Sequence, residues 1–157
     1  MHAYLKTLVV IAIAVELVPT DAQAQEISRI AGTWVLNRAA STINPSVAPR
    51  SEVRTYVDRG EGVVRATHRV VDRRGNPSSL SYTAKHDGSE YRVVTLGEDG
   101  GRRTVAFTRL DAYTSDWETK LNGAVSNRGR STVSGDGLTL TVTDRTATVQ
   151  VFDRREN

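Results

Sequence analysis

The feature that most limits this chain is a period of two. From Thr33 to Asp153 apolar and polar residues alternate, and turn-forming residues interrupt the alternation at short intervals. Successive side chains of a strand point to opposite faces, so this pattern suits half-buried strands and not helices. Val64, Ala66, His68 and Val70 alternate with Arg65, Thr67 and Arg69. Val53, Thr55 and Val57 likewise read as one apolar face, as do Leu80, Tyr82 and Ala84, and then Val105 and Phe107. Further along come Ser115, Trp117, Thr119 and Leu121, followed by Leu138, Leu140 and Val142. The pattern predicts strands over 33–37, 52–58, 63–72, 79–85, 91–95, 103–109, 115–121, 124–134, 138–143 and 147–153. Turn chemistry separates them at 73–77, Asp87-Gly88, 97–101, Asn122-Gly123 and Gly135-Asp136-Gly137. About ten short strands at this spacing imply an all-β fold, a sandwich or an antiparallel up-and-down barrel of about 8–10 strands. Each strand has one apolar face for a core and one polar face for water.

The first 24 residues follow a different rule. Lys6 precedes an apolar run at 7–15, Pro19 follows it, and Ala22-Gln23-Ala24 has the small-x-small form of a cleavage site. The run is shorter than the ~20 apolar residues that span a bilayer. It reads as a signal peptide cleaved after Ala24, leaving no transmembrane anchor. The expected location is a bacterial periplasm or the extracellular space. Residues 25–157 then form one domain, long enough to bury a sizeable core. Loss of Lys6, Glu16 and Asp21 moves the net charge from +3 to about +4. Basic pairs such as Arg73-Arg74, Arg102-Arg103 and Arg154-Arg155 fall at turns or the chain end. No basic stripe is interleaved with aromatics, which argues against a nucleic-acid partner. There is no cysteine, so the core holds the fold without disulfides. The one long connection, 38–51, carries Pro45 and Pro49 and is expected as one helical turn or an irregular lid.

Motifs of catalysis or cofactor binding are missing. His68 and His86 stand in no metal-ligand spacing, and there is no Gly-x-Ser-x-Gly elbow or phosphate-binding loop. No cofactor or metal is implied, and the reading is of a non-enzymatic protein. His68 stands out because the alternation puts it on an apolar face. Three roles are open to it: a polar anchor for a ligand, an axial haem ligand, or a core histidine satisfied by a hydroxyl. An odd number of residues in the 73–77 turn would set it opposite Tyr82. His86, beside Asp87 in a turn, reads as a surface residue.

The opening Gly32-Thr33-Trp34-Val35-Leu36-Asn37 resembles the first strand of the calycin superfamily, the lipocalins and fatty-acid-binding proteins. Val149-Gln150-Val151-Phe152-Asp153-Arg154 is similar to the last strand of the fatty-acid-binding proteins, and 136–142 to the strand before it. The chain as a whole resembles exported bacterial lipocalin-like proteins. The resemblance implies an antiparallel barrel with an interior pocket for an apolar ligand. It also implies that Trp34 closes one barrel end against Arg154. Two departures are visible. The 38–51 connection is too short for the two portal helices of fatty-acid-binding proteins. Gln150 and Phe152 stand where those proteins carry an Arg-x-Tyr pair for the ligand carboxylate, so a neutral lipid, or no small ligand, fits better.

The expected interior comprises Leu36, Val57, His68, Tyr82, Phe107, Trp117, Leu140 and Gln150. Ligand contacts are expected from His68, Tyr82, Phe107, Trp117, Gln150 and Phe152. Few interior positions are large, so a cavity is expected. The leading reading is an exported barrel that binds a small hydrophobic or weakly polar ligand. The alternatives are a packed scaffold that binds an envelope protein or inhibits a protease through 38–51, with Ile43 and Val47 exposed, and a barrel enzyme using His68 with Tyr82.

Overall fold

Ten strands form along the predicted stretches. They are β1 (Gly32–Leu36), β2 (Ser51–Asp58), β3 (Val64–Val71), β4 (Pro77–Ala84), β5 (Tyr91–Leu96), β6 (Arg103–Arg109), β7 (Thr114–Leu121), β8 (Ala124–Val133), β9 (Thr139–Asp144) and β10 (Val149–Arg154). The structure is a computed structural model, and it describes residues 29–96 and 100–156. The expected signal peptide lies outside the described residues. Each strand pairs antiparallel with the next, and β1 pairs with β10, so the sheet is a closed ten-stranded barrel. Closure removes the exposed edges that an open sheet of this size would leave.

Cross-strand partners share a face, so one residue of known orientation fixes its whole row. Trp34 is fully buried. It pairs with Arg154 on β10 and Arg54 on β2, Arg54 pairs with His68, and His68 with Leu80. That row points inward. The adjoining row, Asp153, Val35, Val53, Arg69 and Ser79, points outward.

This register overturns the expected orientation of β2. Val57 was expected inside but is 42% exposed, and Val53 and Thr55 share its outward face. Glu52, Arg54 and Tyr56 are the buried residues of the strand. The β-branched residues on the outer face serve strand propensity and not the core. The polar residues tolerate burial because they satisfy one another. Leu138 also departs from expectation: it precedes β9 and is 54% exposed.

The core gathers toward one end. Trp34, Phe152 and Leu140 are its largest fully buried side chains, packed with Ile30, Leu36, Val64, Ala84 and Val133. Arg154 seals this end. Its guanidinium lies 4.2 Å over the Trp34 ring. It also donates to Gly137 O at 2.6 Å, to Ala31 O at 2.6 Å and to Arg29 O. The Trp34 indole N–H donates to Ile30 O at 2.8 Å. Gly32 makes room for this arrangement, since a Cβ there would stand 2.5 Å from Arg154 Nη1.

The 38–51 connection runs beside the start of β10, where Thr42 bridges Val149. It contains two turns, at 38–40 and 45–47, and in the second Val47 and Ala48 N–H both donate to Asn44 O at 3.0 Å. Val47 is 72% exposed, but Ile43 packs against the core and not in solvent as expected. Ile43 therefore leaves Val47 as the exposed apolar side chain of the pair.

Candidate functional site

Above the packed end the barrel encloses a cavity of about 230 Å³. Three groups of side chains form it, and each group follows from the register.

The first is an aromatic floor. Tyr56 of β2, His68 of β3, Tyr82 of β4, Phe107 of β6 and His86 beyond β4 form a continuous series of ring contacts across the barrel. Centroid separations along it are 5.8, 5.7, 5.4 and 5.0 Å, with edge-to-face geometry at His68 and stacking at His86. These are the distances at which rings attract beyond simple burial. Tyr56, Tyr82 and Phe107 line the cavity on one side and a void of about 20 Å³ on the other. The series thus separates the cavity from the sealed end.

His68 is not directly opposite Tyr82, as the turn argument expected. Its register partner is Leu80, while Tyr82 pairs with Ala66, and the two rings meet diagonally. The close polar neighbour of His68 is Tyr56, whose hydroxyl lies 3.4 Å from His68 Nε2. Burial, and after it the Arg54 charge, pushes the His68 imidazole well below its ordinary value, so it is neutral at pH 7. Burial raises both tyrosines, most strongly Tyr82, which keeps the phenols protonated. His86 is half-buried and not a surface residue. Its ring stacks on Phe107, and its Nδ1 lies 2.9 Å from the buried Ser115 Oγ.

The second group is a wall. Phe107 and Trp117 are direct cross-strand partners, and Trp117 faces Gly129 on β8. A Cβ at Gly129 would stand 1.9 Å from Thr143 O and 2.6 Å from Trp117 Cζ2. Glycine is therefore the residue that lets the indole and β9 approach β8 together. The Trp117 indole N–H is buried and has no acceptor among the described residues. Packing, not hydrogen bonding, holds this ring.

The third group is charged. Arg54 Nε donates to Glu52 Oε1 at 2.7 Å, Arg54 Nη2 donates to Gln150 Oε1 at 2.9 Å, and Gln150 Nε2 donates to Glu52 Oε2 at 3.0 Å. The Arg54 guanidinium also lies 4.3 Å over the Phe152 ring. Burial works against its charge, but the Glu52 carboxylate, together with Tyr56 and Tyr82, more than compensates, so its pKa is raised. A buried ion pair is tolerated only when such additional bonds satisfy it.

Of the residues expected to touch a ligand, His68, Tyr82, Phe107, Trp117 and Gln150 line the cavity. Phe152 does not. It is fully buried beneath Arg54, between Leu36 and Leu140. Sequence reasoning missed Arg54, Glu52 and Tyr56 because β2 was read with the opposite face inward. A signal did exist: a strand with Glu, Arg and Tyr at alternate positions presents one mutually satisfiable polar face.

Toward the open end the lining turns polar, with Arg103, Lys120, Asn127 and Asp144. A bulge places Asn127 there: Thr119 pairs with Asn127 but Lys120 pairs with Val125, leaving Ser126 as the extra residue. Lys120 is engaged by Glu90.

No family model matches the chain. No curated protein matches it in sequence.

Proposed function

We propose that this protein is an exported, calycin-like carrier that holds a small hydrophobic or weakly polar ligand inside its barrel. The observation that carries the reading is the 230 Å³ cavity floored by aromatic rings and edged by buried polar groups. Small-molecule sites combine apolar walls with a few placed polar groups in this way. The resemblance of the first and last strands to calycins, with β1 and β10 paired in a closed barrel, supports the same reading.

No chemistry is required of the cavity. The neutral imidazole of His68 touches the Tyr56 phenol, which burial keeps protonated. His86 Nδ1 and Ser115 Oγ are in direct contact at 2.9 Å, but the void they line is only about 20 Å³, room for little more than a water molecule.

Native mass spectrometry of the protein purified from its source tests the proposal. A reproducible bound mass, lost on denaturation, is the expected result and identifies the ligand. A clean apo mass, with no stabilisation by a panel of small apolar compounds and lipids, would count against it. The search would then move to protein partners of the 38–51 connection, where Val47 is exposed.

A further inference from the structure

The cavity is specific enough to narrow the class of its ligand, and the inference that follows rests on the carrier reading above. Three observations bear on it.

The first is size. An apolar cavity of ~150 Å³ accepts benzene, and drug-sized ligands occupy ~300–1,000 Å³. At about 230 Å³ this cavity matches one ring with substituents or two fused rings. A long acyl chain exceeds this volume and would have to extend past the polar residues of the open end.

The second is the character of the walls. Phe107 and Trp117 stand side by side on adjacent strands, and Tyr56 and Tyr82 continue the aromatic surface across the floor. A flat ring gains offset-stacked and edge-to-face contacts on such a surface that a flexible chain does not.

The third is how the polar groups are already used. The charge of Arg54 is matched by Glu52, and both are tied to Gln150. A ligand carboxylate brought to Arg54 would stand beside the Glu52 carboxylate, a like-charge contact in a buried site. His68 and Tyr56 are differently placed. Their 3.4 Å contact is longer than the ~2.5–3.2 Å of ordinary protein hydrogen bonds. Either one gains by exchanging it for a shorter bond to a ligand.

We infer that the ligand is a compact, uncharged one- or two-ring compound with a hydroxyl or carbonyl on its edge, its ring against Phe107 and Trp117 and its polar edge at His68 and Tyr56. It is not a long-chain acid.

Isothermal titration calorimetry on the full chain tests this with 2-naphthol and 1-indanone as ring probes, naphthalene as the ring without a polar edge, and palmitate as the acyl acid. The expected order is 2-naphthol and 1-indanone about tenfold tighter than naphthalene, the worth of one hydrogen bond, with palmitate weakest. His68→Leu should erase the gap between 2-naphthol and naphthalene while naphthalene still binds. His68→Gln, which keeps an acceptor, should restore part of it. Circular dichroism of both variants checks that they fold.

Palmitate binding tighter than every ring probe would overturn the inference while leaving the carrier reading intact. Equal affinity for 2-naphthol and naphthalene in the parent protein would overturn the polar-edge assignment. Failure of all four probes to bind would overturn the inference and the carrier reading together.

Discussion

The two ends of this barrel are built from the same ladder but on opposite principles. The end sealed by Trp34 is filled: Trp34, Phe152 and Leu140 lose all contact with solvent, and Arg154 spends its donors on backbone carbonyls of the chain around it. The end above the aromatic floor holds the cavity, and the buried charges at its margin are paired with each other. An arginine lies over an aromatic ring on each side of the filled core, Arg154 on Trp34 and Arg54 on Phe152. The first closes the fold. The second holds a polar group at the margin of a cavity. A cation–π contact by itself therefore says nothing about role; what surrounds it decides.

If the comparison is right, damage at the sealed end should cost stability without touching ligand contacts. Trp34→Ala should destabilise the protein by about 3–5 kcal/mol, the range for emptying a large buried ring. Urea denaturation would show it as a lowered midpoint. The same variant, studied well below its melting temperature, should bind ring probes as the parent does; a large loss of affinity would break the distinction between the ends.

The buried pair gives a prediction of similar size with a built-in contrast. Glu52→Ala leaves Arg54 buried without its counter-ion and should cost about 3–5 kcal/mol. Replacing both partners, Glu52→Leu with Arg54→Met, should return stability to about the parent level, since an apolar pair of similar volume often matches a buried ion pair. A double variant as unstable as the single one would mean that the pair supports the fold and not the cavity.

The cavity wall predicts a smaller effect. Gly129→Ala places a methyl group against Thr143 O and the Trp117 ring. Overpacking of this kind costs about 1–3 kcal/mol or somewhat more where backbone must move. The tryptophan emission of the variant should shift as Trp117 is displaced, while Trp34 at the far end stays buried. An unshifted spectrum would show that β9 yields and the wall does not.

The smallest prediction concerns pH. The pKa of His68 is depressed in the native state, so below its ordinary value of 6.5 the unfolded chain takes up a proton that the folded one does not. Its contribution is fully present above pH 6.5 and is lost as pH falls toward the native pKa, at most about 1.4 kcal/mol per pH unit. The pH dependence of the unfolding free energy should be less steep in His68→Asn over that window. Identical slopes in the two proteins would place His68 in contact with solvent and not inside the barrel.

The relation between sequence and structure differs along the chain. Alternation located all ten strands, because period-two patterning is a local property and each strand carries it. Turn chemistry such as Asn122-Gly123 placed the hairpin ends for the same reason. Five of six expected ligand contacts line one cavity. The failures are matters of facing and register: the inward face of β2, the burial of Ile43 and His86, the exposure of Leu138, the pairing of His68 with Leu80, and Phe152 beneath the cavity. Val53, Thr55 and Val57 are good strand formers, and the only sign within the strand that they face water is the alternate Glu52, Arg54 and Tyr56, whose mutual satisfaction shows only once they are packed. The bulge at Ser126 and the burial of Ile43 were equally illegible, since each depends on a neighbour distant in sequence.

What the sequence determined by itself is therefore the set of strands, their order and the apolar identity of most inward rows, all of which follow from alternation and short turns. Tertiary structure alone decided which face of β2 turns inward. Pairing Arg54 with the fully buried Trp34 on one side and with His68 on the other leaves a single orientation, because a one-residue slip would send Trp34's row to solvent. From that choice come the Glu52–Arg54–Gln150 cluster, the Tyr56–His68 contact and the polar margin of the cavity. The physical reason is that an alternating polar and β-branched strand fits either way around until its cross-strand partners fix it.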